Sequence, residues 1–89
     1  MTRQFVSVVI PCRNESETIK ACLESLAASD YPSDRFEVLV VDGSSTDTTR
    51  AIVLEHQELH PNVRLLNNPR RTQQVALNIG IRSAAGDVI

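Results

Sequence analysis

The stretch Phe5-Val6-Ser7-Val8-Val9-Ile10-Pro11-Cys12-Arg13-Asn14-Glu15 decides the fold. From Phe5 to Ile10 it is apolar almost throughout and rich in β-branched side chains, the pattern of a strand covered on both faces. Pro11 ends the run. Asn14 with Glu17 three residues on reads as a helix-capping pair, and Ile19, Cys22, Leu23, Leu26 and Ala27 follow at helical spacing, so a helix is expected over about 15–28.

Outward from that unit the same alternation repeats. Ser29 to Asp34 has turn composition, and Phe36-Glu37-Val38-Leu39-Val40-Val41 reads as a second buried strand that stops at Asp42-Gly43. Ser44 and Asp47 form another capping pattern, opening a helix over about 46–59 with Ala51, Ile52 and Leu59 on its inner face. His60-Pro61-Asn62 closes it, and Val63 to Asn67 is a third strand. After the loop Asn68-Pro69-Arg70-Arg71 a helix is expected over about 72–84, with Val75, Ala76, Ile79 and Ser83 inward. Gly86 stands where a helix ends in a left-handed cap, and Asp87-Val88-Ile89 reads as the first half of a fourth strand. Strands alternating with helices in this way specify βαβ units with right-handed crossovers. The expected fold is α/β, a doubly wound and mainly parallel sheet that the chain leaves within its fourth strand.

Composition agrees. At 89 residues with 42% hydrophobic and 22% charged content, the chain is one soluble unit, residues 1–89, read as the incomplete front part of a single domain. A net charge of −2 and 3% aromatics give no reason to bind nucleic acid. Cys12 and Cys22 lack the spacing of a redox or zinc site and suggest a reducing cytoplasm. The apolar run after Met1-Thr2-Arg3-Gln4 is shorter than the ~7–15 residues of a signal core or the ~20 of a membrane span.

In doubly wound sheets ligands bind outside the carboxyl ends of the strands, which singles out loops 11–15, 42–47 and 67–71. No glycine precedes Gly43, so a dinucleotide fingerprint and a phosphate-binding P-loop after the first strand are both excluded. Cys12 has Thr18 rather than arginine six residues on, which excludes a cysteine phosphatase. Asp42, at the mouth of a buried strand, has little evident packing purpose and can accept from a ribose hydroxyl or a base N–H; Gly43 allows the turn that brings backbone close to a ligand. Asp47 reads as a helix cap or as a ligand contact. Arg13 and Glu15 either pair with each other at the surface or meet a nucleotide, and Arg70 and Arg71 are either solvated or face a diphosphate. His56 and His60 suit the end of a helix dipole; no spacing marks a metal site, and no catalytic residue is assigned to the chain.

Val6 to Glu15, Val40-Val41-Asp42-Gly43-Ser44-Ser45-Thr46-Asp47, Ala76-Leu77-Asn78-Ile79-Gly80-Ile81 and Ala85-Gly86-Asp87-Val88-Ile89, in that order, resemble family-2 glycosyltransferases of the GT-A fold, especially bacterial exopolysaccharide enzymes. The resemblance implies a domain that binds a UDP-sugar and passes the sugar to a glycan or lipid-linked acceptor, typically with inversion. It implies that Pro11, Cys12, Arg13 and Glu15 embrace base and ribose, that Asp42 accepts from uracil N3–H with Gly43 beside it, and that Arg70 or Arg71 approaches the diphosphate. Leu77 stands where the family often has arginine. The family's Asp-x-Asp motif, which holds Mg2+ or Mn2+, and its catalytic carboxylate are expected beyond Ile89, as is any membrane-associating segment. The resemblance thus places the whole enzyme in the cytoplasm at the inner face of the membrane. The rival reading is a non-catalytic nucleotide-binding module of the same fold.

Overall fold

The computed structural model describes residues 5–88; the expectations for Met1 to Gln4 and for Ile89 lie outside them. Strands β1 (Val6–Cys12), β2 (Phe36–Asp42), β3 (Val63–Asn67) and β4 (Asp87–Val88) alternate with helices α1 (Ser16–Ala27), α2 (Thr49–Leu59) and α3 (Gln73–Ser83). All pairings are parallel, in the order β3-β2-β1-β4.

Strand periodicity explains the layering, because successive side chains point to opposite faces. Val38 and Val40 join Cys12, Ile19, Leu23, Val53 and Val63 in one core under α1 and α2. Leu39 and Val41 point the other way and join Val9 and Ala76 in a second core under α3. The sheet is therefore wound on both faces, and the chain reverses direction at β1, where β4 arrives by way of α3 on the opposite side from β2.

One polar pair interrupts the apolar faces. Ser7 and Glu37 are register partners, both buried, and the Ser7 hydroxyl donates to Glu37 Oε2 at 2.8 Å. The amide of Ala85 donates to the same oxygen at 2.7 Å and the amide of Gly86 donates to Ser7 Oγ at 2.9 Å, so the pair anchors the segment entering β4. Gly86 is not in the left-handed region, which corrects its expected role as a cap; a Cβ there would lie 2.3 Å from the Phe5 carbonyl oxygen. Gly80 is selected in the same way, since its Cβ would lie 2.3 Å from Val9 Cγ1. Alanine at Gly80 is expected to lower stability by about 1–2 kcal/mol despite its better helix propensity, because overpacking α3 against β1 outweighs the propensity gain; a rise in melting temperature would contradict this.

The helix starts also differ from expectation. Asn14 does not cap α1: Glu15 holds that position without a side-chain bond, and Asn14 has a φ of 52°. The Ser44/Asp47 box does not form either. Asp47 accepts from the amide of Thr49 at 2.9 Å, so α2 starts at Thr49 rather than about 46. Its inner face is Thr49 and Val53 with Ile52 partly covered, whereas Ala51 and Leu59 are exposed. In α1 the buried pair is Ile19 and Leu23, with Ala27 exposed. The expected inner face of α3 holds, with Gly80 added.

Candidate nucleotide-binding site

The loops after β1, β2 and β3 emerge side by side at the carboxyl edge of the sheet, and each contains one non-glycine residue in the left-handed region: Asn14 (φ 52°), Ser44 (φ 60°) and Arg71 (φ 66°). Such conformations are costly for L-residues and persist only where the surroundings hold them.

For the first two loops those holds are direct. Asn14 Oδ1 accepts from the amides of Thr46 at 2.7 Å and Asp47 at 3.3 Å, while the Asn14 amide donates to Ser45 Oγ at 2.8 Å. In the third loop Asn68 is 1% exposed; its side-chain amide donates to the Thr72 carbonyl at 2.8 Å and its Oδ1 accepts from the Arg70 amide at 3.2 Å. The Thr72 hydroxyl then accepts from the Val75 amide at 3.3 Å and caps α3. Gly43 sits where the loops converge: a Cβ there would lie 3.4 Å from Arg71 Cα and Cys12 O, and 3.5 Å from Arg13 Cβ. Its φ is not positive, and the left-handed residue of this loop is its neighbour Ser44.

Between the first and third loops lies an open cavity of about 250 Å³ lined by Pro11, Cys12, Arg13, Glu15 and Arg71 together with Asn68, Thr72, Gln73 and Ala76. Five of the eight residues singled out from the sequence thus share one cleft. Arg13 and Glu15 do not pair with each other; the ion pairs among the described residues are Arg50–Asp42 and Arg64–Glu37. Two guanidiniums, one carboxylate and the first turn of α3 therefore border the cavity, a favourable setting for an anion with a polar heterocycle. Arg70 is exposed and does not line it.

Asp42 lies beneath rather than in this cleft. It is fully buried, and its carboxylate accepts from the Ser45 hydroxyl, from the Ser45 amide at 3.0 Å, from Arg50 Nη1 at 3.1 Å and from the Cys12 thiol at 3.8 Å. Burial alone would raise its pKa; the Ser45 hydroxyl and amide and the Arg50 guanidinium outweigh that and hold the carboxyl below its ordinary 3.8. The expectation that Asp42 has little packing purpose is corrected: it organises the second loop, and a base could claim it only by displacing one of these donors. Burial, with the charges of Asp42 and Glu15, pushes the Cys12 thiol up to about 12, so it stays protonated and donates. Iodoacetamide at pH 8 is accordingly expected to modify the half-buried Cys22 and spare Cys12, and fast labelling at Cys12 would contradict that assignment.

Sequence reading missed Arg50, Ser45, Asn68 and Thr72. Asn68 followed by Thr72 before an apolar run carried a turn-and-cap signal; Arg50, in the first turn of α2, carried none without the register that sets Asp42 opposite Asn67. Among the described residues there is no group of three or more His, Cys, Asp or Glu side chains able to hold a metal ion.

A parallel sheet wound on both faces, with two arginines bordering a cleft at its carboxyl edge, agrees with the front part of a GT-A type transferase domain, and similarity to known proteins supplies the family. The chain belongs to glycosyl transferase family 2, whose profile matches residues 7–89. It is 41% identical over 85 residues to a dolichyl N-acetyl-α-D-glucosaminyl phosphate 3-β-D-2,3-diacetamido-2,3-dideoxy-β-D-glucuronosyltransferase of Methanococcus voltae, covering 93% of this chain and 26% of that protein. The mannosyltransferase PcManGT of Pyrobaculum calidifontis, solved with GDP-Man and Mn2+, superposes with a TM-score of 0.88 at 38% identity, over 98% of this chain and 26% of that one. TarS of Staphylococcus aureus, a poly(ribitol-phosphate) β-N-acetylglucosaminyltransferase solved with UDP-GlcNAc, superposes with a TM-score of 0.82 at 32% identity, over 94% of this chain and 25% of that one. The chain thus spans about a quarter of the length of the first two relatives and 15% of whole TarS.

Proposed function

We propose that residues 1–89 are the donor-binding front part of a single GT-A domain in an inverting glycosyltransferase, and that their cleft takes the nucleotide of a UDP-sugar. The observation that carries the reading is the meeting of Pro11, Cys12, Arg13, Glu15 and Arg71 around one cavity at the carboxyl edge. In it, Pro11 and Cys12 back the base, Glu15 accepts from a base or ribose donor, and Arg13 and Arg71 face the diphosphate. Gly43 lets the loops carrying Cys12, Arg13 and Arg71 come together without an intervening side chain, and Arg70 adds long-range charge only. Asp42 acts from below, presenting Ser45 and Cys12.

Uracil and guanine each present a ring N–H where cytosine presents an acceptor, which is why donors of both kinds in the relatives are compatible with an acidic reader. The acceptor we propose is a glycan or lipid-linked sugar, in keeping with the dolichyl and poly(ribitol-phosphate) names of the relatives. On that reading the whole enzyme works at the cytoplasmic face of a membrane; among the described residues no helix is long and apolar enough to cross one.

A divalent cation bound to the diphosphate would supply charge neutralisation as the nucleotide departs. The described residues do not fit such an ion, since Asp42 is saturated by four donors and Glu15 stands without two further ligands. The ligands proposed for it, and the base that takes the acceptor's proton, belong to the part of the relatives' length that this chain does not span.

Calorimetric titration of the full-length protein with UDP, GDP, CDP and uridine tests the reading. UDP should bind more tightly than CDP, and uridine more weakly than UDP. Absence of saturable binding by any nucleoside diphosphate would end it, and UDP binding without sugar transfer to any acceptor would favour the non-catalytic module.

A further inference from the structure

We infer that Arg50 is a positioning residue for the donor cleft, tying the ends of β2 and β3 together through Asp42 and Asn67 without touching the nucleotide. The inference rests on the donor-binding role proposed for the three loops.

Cys12, Asp42 and Asn67 are register partners and form one row across the carboxyl ends of β1, β2 and β3. Arg50 Nη1 donates to Asp42 Oδ2 at 3.1 Å and to Asn67 Oδ1 at 2.6 Å, so one guanidinium nitrogen closes the row from α2. On the other side of Asp42 the link continues to the first loop: the Ser45 hydroxyl donates to Asp42 and accepts from the Asn14 amide at 2.8 Å. A continuous path thus runs from Asn14 through Ser45, Asp42 and Arg50 to Asn67, joining all three loops. Beyond Asn67 the chain turns at once, with the Asn68 amide donating to the Asp42 carbonyl at 2.8 Å, and reaches Arg71 on the cleft wall. Arg50 is the side chain that fixes the departure of this third loop from the second. It does not line the cavity, and its side chain is 38% exposed.

The fixing has an electrostatic side. The charged and titratable groups in contact with the Asp42 carboxylate are Arg50 from α2 and the Cys12 thiol from β1. Arg50 is the cation among them. Without it, burial acts on Asp42 against the Ser45 donors and the weak Cys12 thiol contact, so the carboxyl takes up a proton at a higher pH than in the unaltered protein and releases the Ser45 amide. A protein lacking Arg50 should therefore lose nucleotide affinity further as the medium becomes mildly acidic, whereas the unaltered protein should not.

The test is UDP binding by calorimetry at pH 5.5 and 7.5 for the full-length protein and for Arg50→Gln, Arg50→Lys and Asn67→Ala. Arg50→Gln should bind about tenfold more weakly at pH 7.5 and weaker again at pH 5.5. Arg50→Lys, which keeps the charge but not the planar fork, should recover most of the affinity and all of the pH independence. If Arg50→Gln does not fold, as read by circular dichroism, Asn67→Ala carries the test with an expected loss of about threefold, and unchanged affinity there overturns the inference. So does an Arg50→Gln protein that binds like the parent at both pH values. A loss that is equal at both pH values and is not rescued by lysine would instead make Arg50 a direct ligand contact, which also overturns it. If the unaltered protein binds no nucleoside diphosphate, the proposed function falls and takes this inference with it; indifference to Arg50→Gln alone removes only the role of Arg50.

Discussion

Asp42→Ala is expected to destabilise the fold by about 2–4 kcal/mol, the scale for removing a buried charged acceptor and leaving its donors unsatisfied. The Ser45 hydroxyl and amide, Arg50 Nη1 and the Cys12 thiol all point at this one carboxylate. Asp42→Asn should cost less, because one of its two positions becomes an amide donor facing donors while the other still accepts. The pH dependence has a definite sign. Since the folded carboxyl titrates below its ordinary 3.8, its contribution is complete above about pH 4 and is lost as the pH falls through the lower folded value. The stability difference between parent and Asp42→Ala, followed by urea melts, should therefore be constant near neutrality and shrink under strong acid. A difference that grew on acidification would mean that the buried group is held protonated.

Arg71→Gln is expected to weaken UDP about tenfold or more and to leave uridine within about twofold, because a charge-assisted bond to phosphate is lost while the base contacts remain. Raising the salt concentration should narrow the gap. Arg70→Gln should have a small effect, as that side chain is exposed and outside the cleft. The φ of 66° at Arg71 supplies a sharper control. Arg71→Gly relieves the left-handed strain and should leave stability unharmed while losing the same phosphate affinity, a separation that a merely structural arginine would not give. Equal losses for UDP and uridine in Arg71→Gln would move this residue away from the phosphates.

Periodicity carried most of the fold. Even and odd positions of Val38 to Val41 fall on two different cores, which is why the run lacks polar alternation and reads as a strand buried on both faces. Helix interiors were legible for α1 and α3, where Ile19, Leu23 and Ala76 lie at the expected spacing. Helix starts were not, and the reason is common to both misplaced caps. Asn14 and Ser44 have the composition of caps, but both take left-handed backbones in loops that bind each other across about 30 residues of chain, Asn14 through its side chain to Thr46 and Asp47 and through its amide to Ser45. Local patterns cannot register such a competition, since the winning partner comes from another βα unit.

The site was legible to a similar depth. Position after a strand was enough to gather Pro11, Cys12, Arg13, Glu15 and Arg71, because the parallel register brings every such loop to the same edge. It was not enough to separate a residue in the cleft from one beneath it. Asp42 ends β2 on the face shared with Cys12 and α1, and only the strand register with Cys12 and Asn67 reveals that it is enclosed. Which of Arg70 and Arg71 lines the cleft turned on the turn built by Asn68, whose bonds to Arg70 and Thr72 leave Arg70 exposed and set the Arg71 backbone against Gly43.

The most direct measurement is amide hydrogen exchange of the full-length protein with and without UDP-sugar. Donor binding at the carboxyl edge should slow exchange in residues 11–15, 43–47 and 68–75. It should leave the amino edge unchanged, where Tyr31, Phe36, His60 and Asn62 line a second cavity of about 330 Å³. Protection confined to that amino edge, or saturable binding with no protection in the three carboxyl-edge loops, would contradict the assignment of the cleft.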